Sequence, residues 1–130
     1  MDAGGHVSEA RRTPAVLAAL GLDVALVVVF ALAGRASHGE HVLSGLATTA
    51  WPFLAALAVG WIVSLAWRRP AAPWRTGIPV WIATVAGGML LRAVSGQGVQ
   101  LAFVVVAAVV LAVFLIGWRL VATLVRRRRG

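Results

Sequence analysis

The chain contains no cysteine, which excludes disulfides, thiolate metal sites and cysteine nucleophiles at once. Lysine, asparagine and tyrosine are also missing, so every permanently positive side chain is an arginine. Acids are scarce: Asp2, Glu9, Asp23 and Glu40 stand against twelve arginines and three histidines. This inventory offers no nucleophile with an adjacent base. The chain is therefore not expected to be an enzyme, and nothing in it calls for a cofactor or a metal.

What is present is mostly hydrocarbon. Of the 130 residues, 61% are hydrophobic and 12% charged, and the mean hydropathy is +0.92. Such a balance lies outside the range of a soluble domain, so lipid is the expected solvent. A net charge of +8 would suggest nucleic acid in a soluble protein. The placement of the charge argues otherwise, because the arginines flank apolar runs as they do in cytoplasmic loops of membrane proteins. The expected partners are the bilayer and its anionic headgroups, with no nucleic acid.

A hydrocarbon core of about 30 Å needs roughly 20 helical residues. Four runs meet or approach that length, at about 14–34, 46–67, 78–94 and 99–121. The first carries Asp23. An acid near the centre of a span costs about 3 kcal/mol, while each strongly apolar residue returns roughly 0.4 kcal/mol. The eleven such residues between Val16 and Leu32 outweigh it. The third run is interrupted by Arg92 and is short enough to be re-entrant, but charge bias favours a span. Four crossings put Arg11, Arg12, Arg68, Arg69, Arg75, Arg119 and the Arg126 to Arg129 run on the cytoplasmic side, leaving Arg35 and Arg92 opposite. Arg11 and Arg12 followed by an apolar stretch and Ala31-Leu32-Ala33 have the outline of a secretory signal. The length of the stretch and the acid within it favour a retained helix instead.

The expected architecture is all-α: an integral membrane bundle of four transmembrane helices with the N-terminus and C-terminus cytoplasmic. A disordered tail over 1–13 precedes a membrane domain over 14–125, and a polybasic tail over 126–130 follows it. Ser95-Gly96-Gln97-Gly98 reads as a tight turn joining the last two helices as an antiparallel hairpin.

Several residues within or beside the spans are candidates for function. Asp23 is the foremost, since a carboxyl inside the bilayer points into a bundle or an aqueous cavity and needs a proton or a partner. By depth its expected neighbours are Val59, Gly60, Thr84 to Gly87 and Ala112, none of them a cation. It is either a proton or cation site, or a contact that joins helices, for example through Thr84. Arg92 lies one turn above Gly88 and two above Thr84, and either snorkels outward or bends toward Asp23 across about 9 Å of helical rise. Pro52 cannot donate to the carbonyl of Thr48, which frees an acceptor beside the hydroxyls of Thr48 and Thr49. Transporters build polar pockets at such breaks, although a simple kink filled by Thr49 is the plainer reading. Arg35 and His38 begin a polar loop, Arg35-Ala36-Ser37-His38-Gly39-Glu40-His41. Its two imidazoles and carboxylate could ligate a metal, but spacing fixes no further ligand, and a polar cap at the membrane surface is the plainer reading. Trp67, Trp74, Trp81 and Trp118 fall where an interfacial aromatic belt would lie, and Trp61 lies deeper. Arg126, Arg127, Arg128 and Arg129 should attract anionic lipid headgroups.

Asp23, Gly34-Arg35-Ala36-Ser37-His38, Thr49-Ala50-Trp51-Pro52-Phe53, Gly88-Met89-Leu90-Leu91-Arg92, Ala102-Phe103-Val104 and Gly117-Trp118-Arg119 occur in order along the chain. In these fragments the sequence resembles an uncharacterised family of small prokaryotic membrane proteins known only as a domain of unknown function. The resemblance runs from about Leu22 to Arg119. It implies a four-helix membrane architecture, in keeping with a multi-pass protein of the bacterial cell membrane, and transfers no activity. The function expected from the polar residues is that of a small transporter or channel for a proton, ion or small solute, acting as a dimer because one four-helix bundle fills its own core. The alternative is a structural or assembly subunit of a larger membrane complex, docking through small-residue faces such as Ala108 and Ala112. A water-filled cavity around Asp23 would favour the first, and a dry helix contact the second.

Overall fold

The computed structural model describes the backbone of residues 3–37 and 42–129 and the side chains of 12–35 and 45–129. It is helical throughout, with no strand among the described residues. Helix α1 spans Ala3–Ser37, α2 Val42–Val63 and α3 Ile78–Val94; α4, Leu101–Leu111, continues through a π turn, Ala112–Ile116, into α5, Gly117–Arg129. Four helical stretches are long and apolar enough to cross a membrane: Arg12–Arg35, Gly45–Val63, Pro73–Val94 and Leu101–Arg129. The third is among them despite Arg92.

Local chemistry decides where the helices stop. The second helix ends at Val63 rather than near 67, because Leu65 takes a left-handed conformation (φ 53°) that cannot continue an α-helix. A short 3-10 turn, Ala66–Arg68, follows. The buried Thr76 hydroxyl then donates to the carbonyl of Arg69 at 2.6 Å, and Pro79 lies in the first turn of α3, where its missing N–H costs nothing. At the far end of α3 the N–H of Gln97 donates to the carbonyl of Arg92 and that of Gly96 to Ala93. This paired pattern needs a left-handed residue just past the helix, which Gly96 supplies at φ 84°. The expected turn between α3 and α4 is thus present. The last helix continues to Arg129, so the polybasic segment is its final turn.

Contacts between helices define two ends of the bundle. At the hairpin end, Arg35 of α1 donates to Thr49 Oγ1 of α2 at 2.8 Å, and Gln97 Nε2 donates to the carbonyl of Thr48 at 3.1 Å. The terminal end holds the start of α1, the α2–α3 connection and α5, where Arg119 Nε donates to the carbonyl of Pro70 at 2.8 Å. Between them α2 and α3 pack most closely, through Ala56 and Gly60 on one helix and Ala83, Gly87 and Gly88 on the other. Small residues spaced four apart let two backbones approach, which is how helices associate in lipid, where apolar burial supplies little drive. Near the hairpin end Phe30, Phe53 and Phe103 of three helices meet. The Phe30 and Phe53 rings lie edge to face at 5.3 Å, and each is 6.1 Å from Phe103, within the range of favourable aromatic pairs.

Candidate functional site

Asp23 lies on the buried stripe of α1 formed by Ala19, Asp23, Val27 and Phe30. Its carboxylate is fully buried and meets Arg119, also fully buried, across a two-pronged ion pair: Nη2 to Oδ2 at 2.7 Å and Nη1 to Oδ1 at 3.0 Å. Two indoles complete the shell. Trp61 Nε1 donates to Oδ2 at 2.8 Å and Trp118 Nε1 to Oδ1 at 2.7 Å, so each carboxylate oxygen accepts two hydrogen bonds. Arg119 directs two further donors to the carbonyls of Leu115 (2.7 Å) and Pro70 (2.8 Å), and its guanidinium carbon lies 4.6 Å from the centre of the Trp118 ring. A guanidinium presents donors in a planar fork that matches a carboxylate. The cluster therefore ties α1, α2, α5 and the α2–α3 connection together at one point, with both charges compensated and hydrogen-bonded, as burial requires.

This shell differs from the one expected by depth. No cation was expected at the depth of Asp23, where Arg92 offered the one candidate from above, and the residue of the last helix at its level is Arg119 rather than Ala112. The π turn accounts for the inward facing of Arg119. Ala107, Leu111, Leu115 and Arg119 are all fully buried, although positions four apart drift by about 40° per step on a regular α-helix. The wider turn at Ala112–Ile116 winds fewer degrees per residue and offsets that drift, so Arg119 stays on the inward stripe. A sequence signal was available: Leu120, Val121, Leu124 and Val125 continue the apolar run beyond Arg119, marking it as an arginine inside a helix rather than at its end. Thr84 is buried but donates to the carbonyl of Val80 at 2.7 Å, not to Asp23. Trp118 and Trp81, expected as interfacial anchors, spend their indole N–H groups inside, Trp81 on the carbonyl of Ala108 at 2.9 Å. Trp67 and Trp74 are exposed.

The remaining candidates gather at the hairpin end. A cavity of ≈ 720 Å³ lies between α1 and α4, within the usual range of small-ligand sites, about 300–1,000 Å³. Phe30, Ala31 and Gly34 form its α1 wall, and Phe103 and Val106 its α4 wall; Arg35, Thr49 and Arg92 supply polar groups. Arg92 does not turn toward Asp23. It stacks 4.4 Å from the centre of the Phe103 ring and donates to Gln97 Oε1 (3.1 Å) and the carbonyl of Gly98 (3.0 Å). The carbonyl of Thr48 freed by Pro52 is taken by Gln97 rather than by Thr49, whose hydroxyl accepts from Arg35. The proline break thus builds part of this polar end. His38, with Glu40 and His41, lies outside the described residues. Arg126 to Arg129 are exposed on the last turn of α5.

A family described as a protein of unknown function, DUF3054, matches the chain over residues 20–122. No curated protein and no solved structure matches it. The matched stretch includes Asp23, Arg119 and every residue of the cavity wall named above.

Proposed function

We propose, for a chain that belongs to the DUF3054 family, the role of a small-solute transporter of the bacterial cell membrane, working as a dimer with both termini cytoplasmic and binding its solute in the cavity between α1 and α4. The observation that carries this reading is the cavity itself, with Arg35 and Arg92 beside aromatic and small apolar walls. A concave apolar site with a few convergent polar groups is the usual form of a ligand site. Asp23 is not the coupling residue in this reading, because Arg119 and two indoles already occupy its oxygens. That cluster also closes the core of a single bundle at the terminal end, which is why the pathway is assigned to the boundary between two copies.

Gly34 lines the cavity, and a Cβ there would meet nothing within 4 Å among the described residues. Gly34→Leu should therefore fill the site without disturbing the fold. In proteoliposomes loaded with benzoate, wild-type efflux is expected to exceed that of Gly34→Leu severalfold; equal efflux at the level of empty liposomes ends the transport reading. The absence of native cysteine makes topology directly testable. Ala102→Cys, on the cavity rim, and a cysteine appended after Gly130 should react with an impermeant maleimide from opposite faces of the membrane.

A structural subunit is the second reading. It is favoured by the fully buried Asp23 contact, which has the character of a fastening, and by a shallow groove between α1 and α5 lined by Ala15, Ala18, Ala19 and Ala122, small residues suited to a helix from a partner. Extraction in mild detergent with one stoichiometric companion would favour it over transport.

A further inference from the structure

Independently of the cavity between α1 and α4, we infer that the groove between α1 and α5 at the terminal end binds one anionic phospholipid, with its phosphate on Arg126 and the upper part of one acyl chain in the groove. The groove encloses ≈ 250 Å³ and is walled by Ala15, Ala18 and Ala19 of α1 and by Trp118 and Ala122 of α5, with Arg126 on its rim. Helix spacing accounts for this arrangement. Trp118, Ala122 and Arg126 follow one another at intervals of four and so share a face of α5; Arg12, Ala15 and Ala19, at intervals of three and four, share a face of α1. The two helices run in opposite directions, since Asp23 meets Arg119 and, further along α1, Phe30 meets Phe103. Both stripes therefore lead from small residues to an arginine at the same end of the bundle.

Charge decides the occupant. Arg126 is exposed and makes no hydrogen bond or ion pair among the described residues, and Arg12 donates to a neutral acceptor, the carbonyl of Trp67, at 3.4 Å. Asp23 is the one carboxylate among the described side chains, and it is buried against Arg119. No described carboxylate thus faces the mouth of the groove, and a phosphate is the complement of a guanidinium there. Depth points the same way. The apolar stretch Leu101–Arg129 has 29 residues, about 43 Å of helix against a hydrocarbon core of about 30 Å. Arg126 accordingly stands at headgroup level, with Trp118 about 12 Å below it in the hydrocarbon. A soluble anion would use Arg126 and leave the apolar walls unfilled. A partner helix would seek a face as long as the core, whereas this groove is about two turns long and is bounded by Pro70 and Ala71 of the α2–α3 connection. An acyl chain hanging from a phosphate fits that length and covers Trp118, whose indole holds Asp23.

Native mass spectrometry of the full-length protein, delipidated in neutral maltoside detergent, provides the test. The probes are dioleoyl phosphatidylglycerol, dioleoyl phosphatidylcholine and glycerol 3-phosphate. One phosphatidylglycerol per chain is expected to bind at least about tenfold more tightly than either of the others. Arg126→Gln should weaken it about fivefold, the share of one arginine beside an anionic headgroup. Arg128→Gln, about 200° around the same helix, should leave it unchanged. Ala18→Phe, made at an exposed position of the groove wall, should abolish it with every arginine intact. Four results would each overturn the inference: phosphatidylcholine or glycerol 3-phosphate binding as tightly as phosphatidylglycerol, equal losses in Arg126→Gln and Arg128→Gln, phosphatidylglycerol binding that survives Ala18→Phe, or a homodimer that Ala18→Phe splits into monomers. The second of these describes diffuse attraction to the polybasic turn, and the last seats a second copy of the chain in the groove. None of them bears on the benzoate efflux of Gly34→Leu, which is read at the opposite end of the bundle.

Discussion

Arg119→Met is expected to destabilise the bundle by about 3–5 kcal/mol, the usual effect of removing one partner from a buried ion pair. The variant leaves the Asp23 carboxylate fully buried with only the two indole donors of Trp61 and Trp118, and it also strips the carbonyls of Pro70 and Leu115 of their donor. Asp23→Leu should cost a similar amount by stranding the guanidinium. In lipid the separated helices find other partners for their polar groups, which moves the expected value toward the lower bound. The double variant Asp23→Leu, Arg119→Met is the informative one. Replacing both members of a buried pair by apolar residues is often neutral, but here the indole N–H groups lose their acceptor, at about 1–3 kcal/mol for each unsatisfied group. The double variant should thus be more stable than either single one and less stable than wild type. Urea titration in micelles, followed by tryptophan fluorescence, reads this directly because two of the six tryptophans contact the pair. Unfolding of Arg119→Met at the wild-type midpoint would show that the cluster is not what fastens the four segments.

Gly88→Leu is expected to have the next largest effect. A Cβ at this position would press into the Phe53 ring, with Cε1 only 2.7 Å away, and both residues are buried. The α2 and α3 backbones must separate to accept it. Overpacking of this kind costs about 1–3 kcal/mol and sometimes more, and here it also disturbs the edge-to-face pair of Phe53 with Phe30. Gly87→Leu should follow in the same direction, since its Cβ would lie 2.9 Å from that of Ala56. Gly34→Leu is the matched control: a Cβ there meets nothing within 4 Å among the described residues, and the substitution gains helix propensity of up to about 1 kcal/mol. The expected order of thermal stability is therefore Gly34→Leu at or above wild type, then Gly87→Leu, then Gly88→Leu. A Gly88→Leu protein as stable as Gly34→Leu would mean that α2 and α3 do not lie in close contact.

The two ends of the bundle separate stability from solute handling. In the Asp23–Arg119 cluster of the terminal end every polar group has a fixed partner, which suits a fastening. At the hairpin end the cations are also partnered, Arg35 by Thr49 and Arg92 by Gln97 and Gly98, but they line a cavity as well. Variants of Asp23 or Arg119 should accordingly lower stability by several kcal/mol, and those of Arg35 or Arg92 by less, because both lie at half-buried positions.

The sequence by itself determined the number of apolar helices, their approximate limits and the turn at Gly96, because run length and glycine conformation are local properties. It also marked Asp23 and the Thr48–Pro52 break as unusual, since an acid or a proline within an apolar helix stands out wherever it falls. Only the tertiary structure decided what those residues touch. Arg119 looked like a flanking charge until a π turn rotated it inward; Trp118 looked like an anchor until it met a carboxylate on another helix; and the acceptor freed by Pro52 went to Gln97, far along the chain. Partners such as these depend on how helices rotate and slide against one another, and side-chain packing between distant segments sets both quantities.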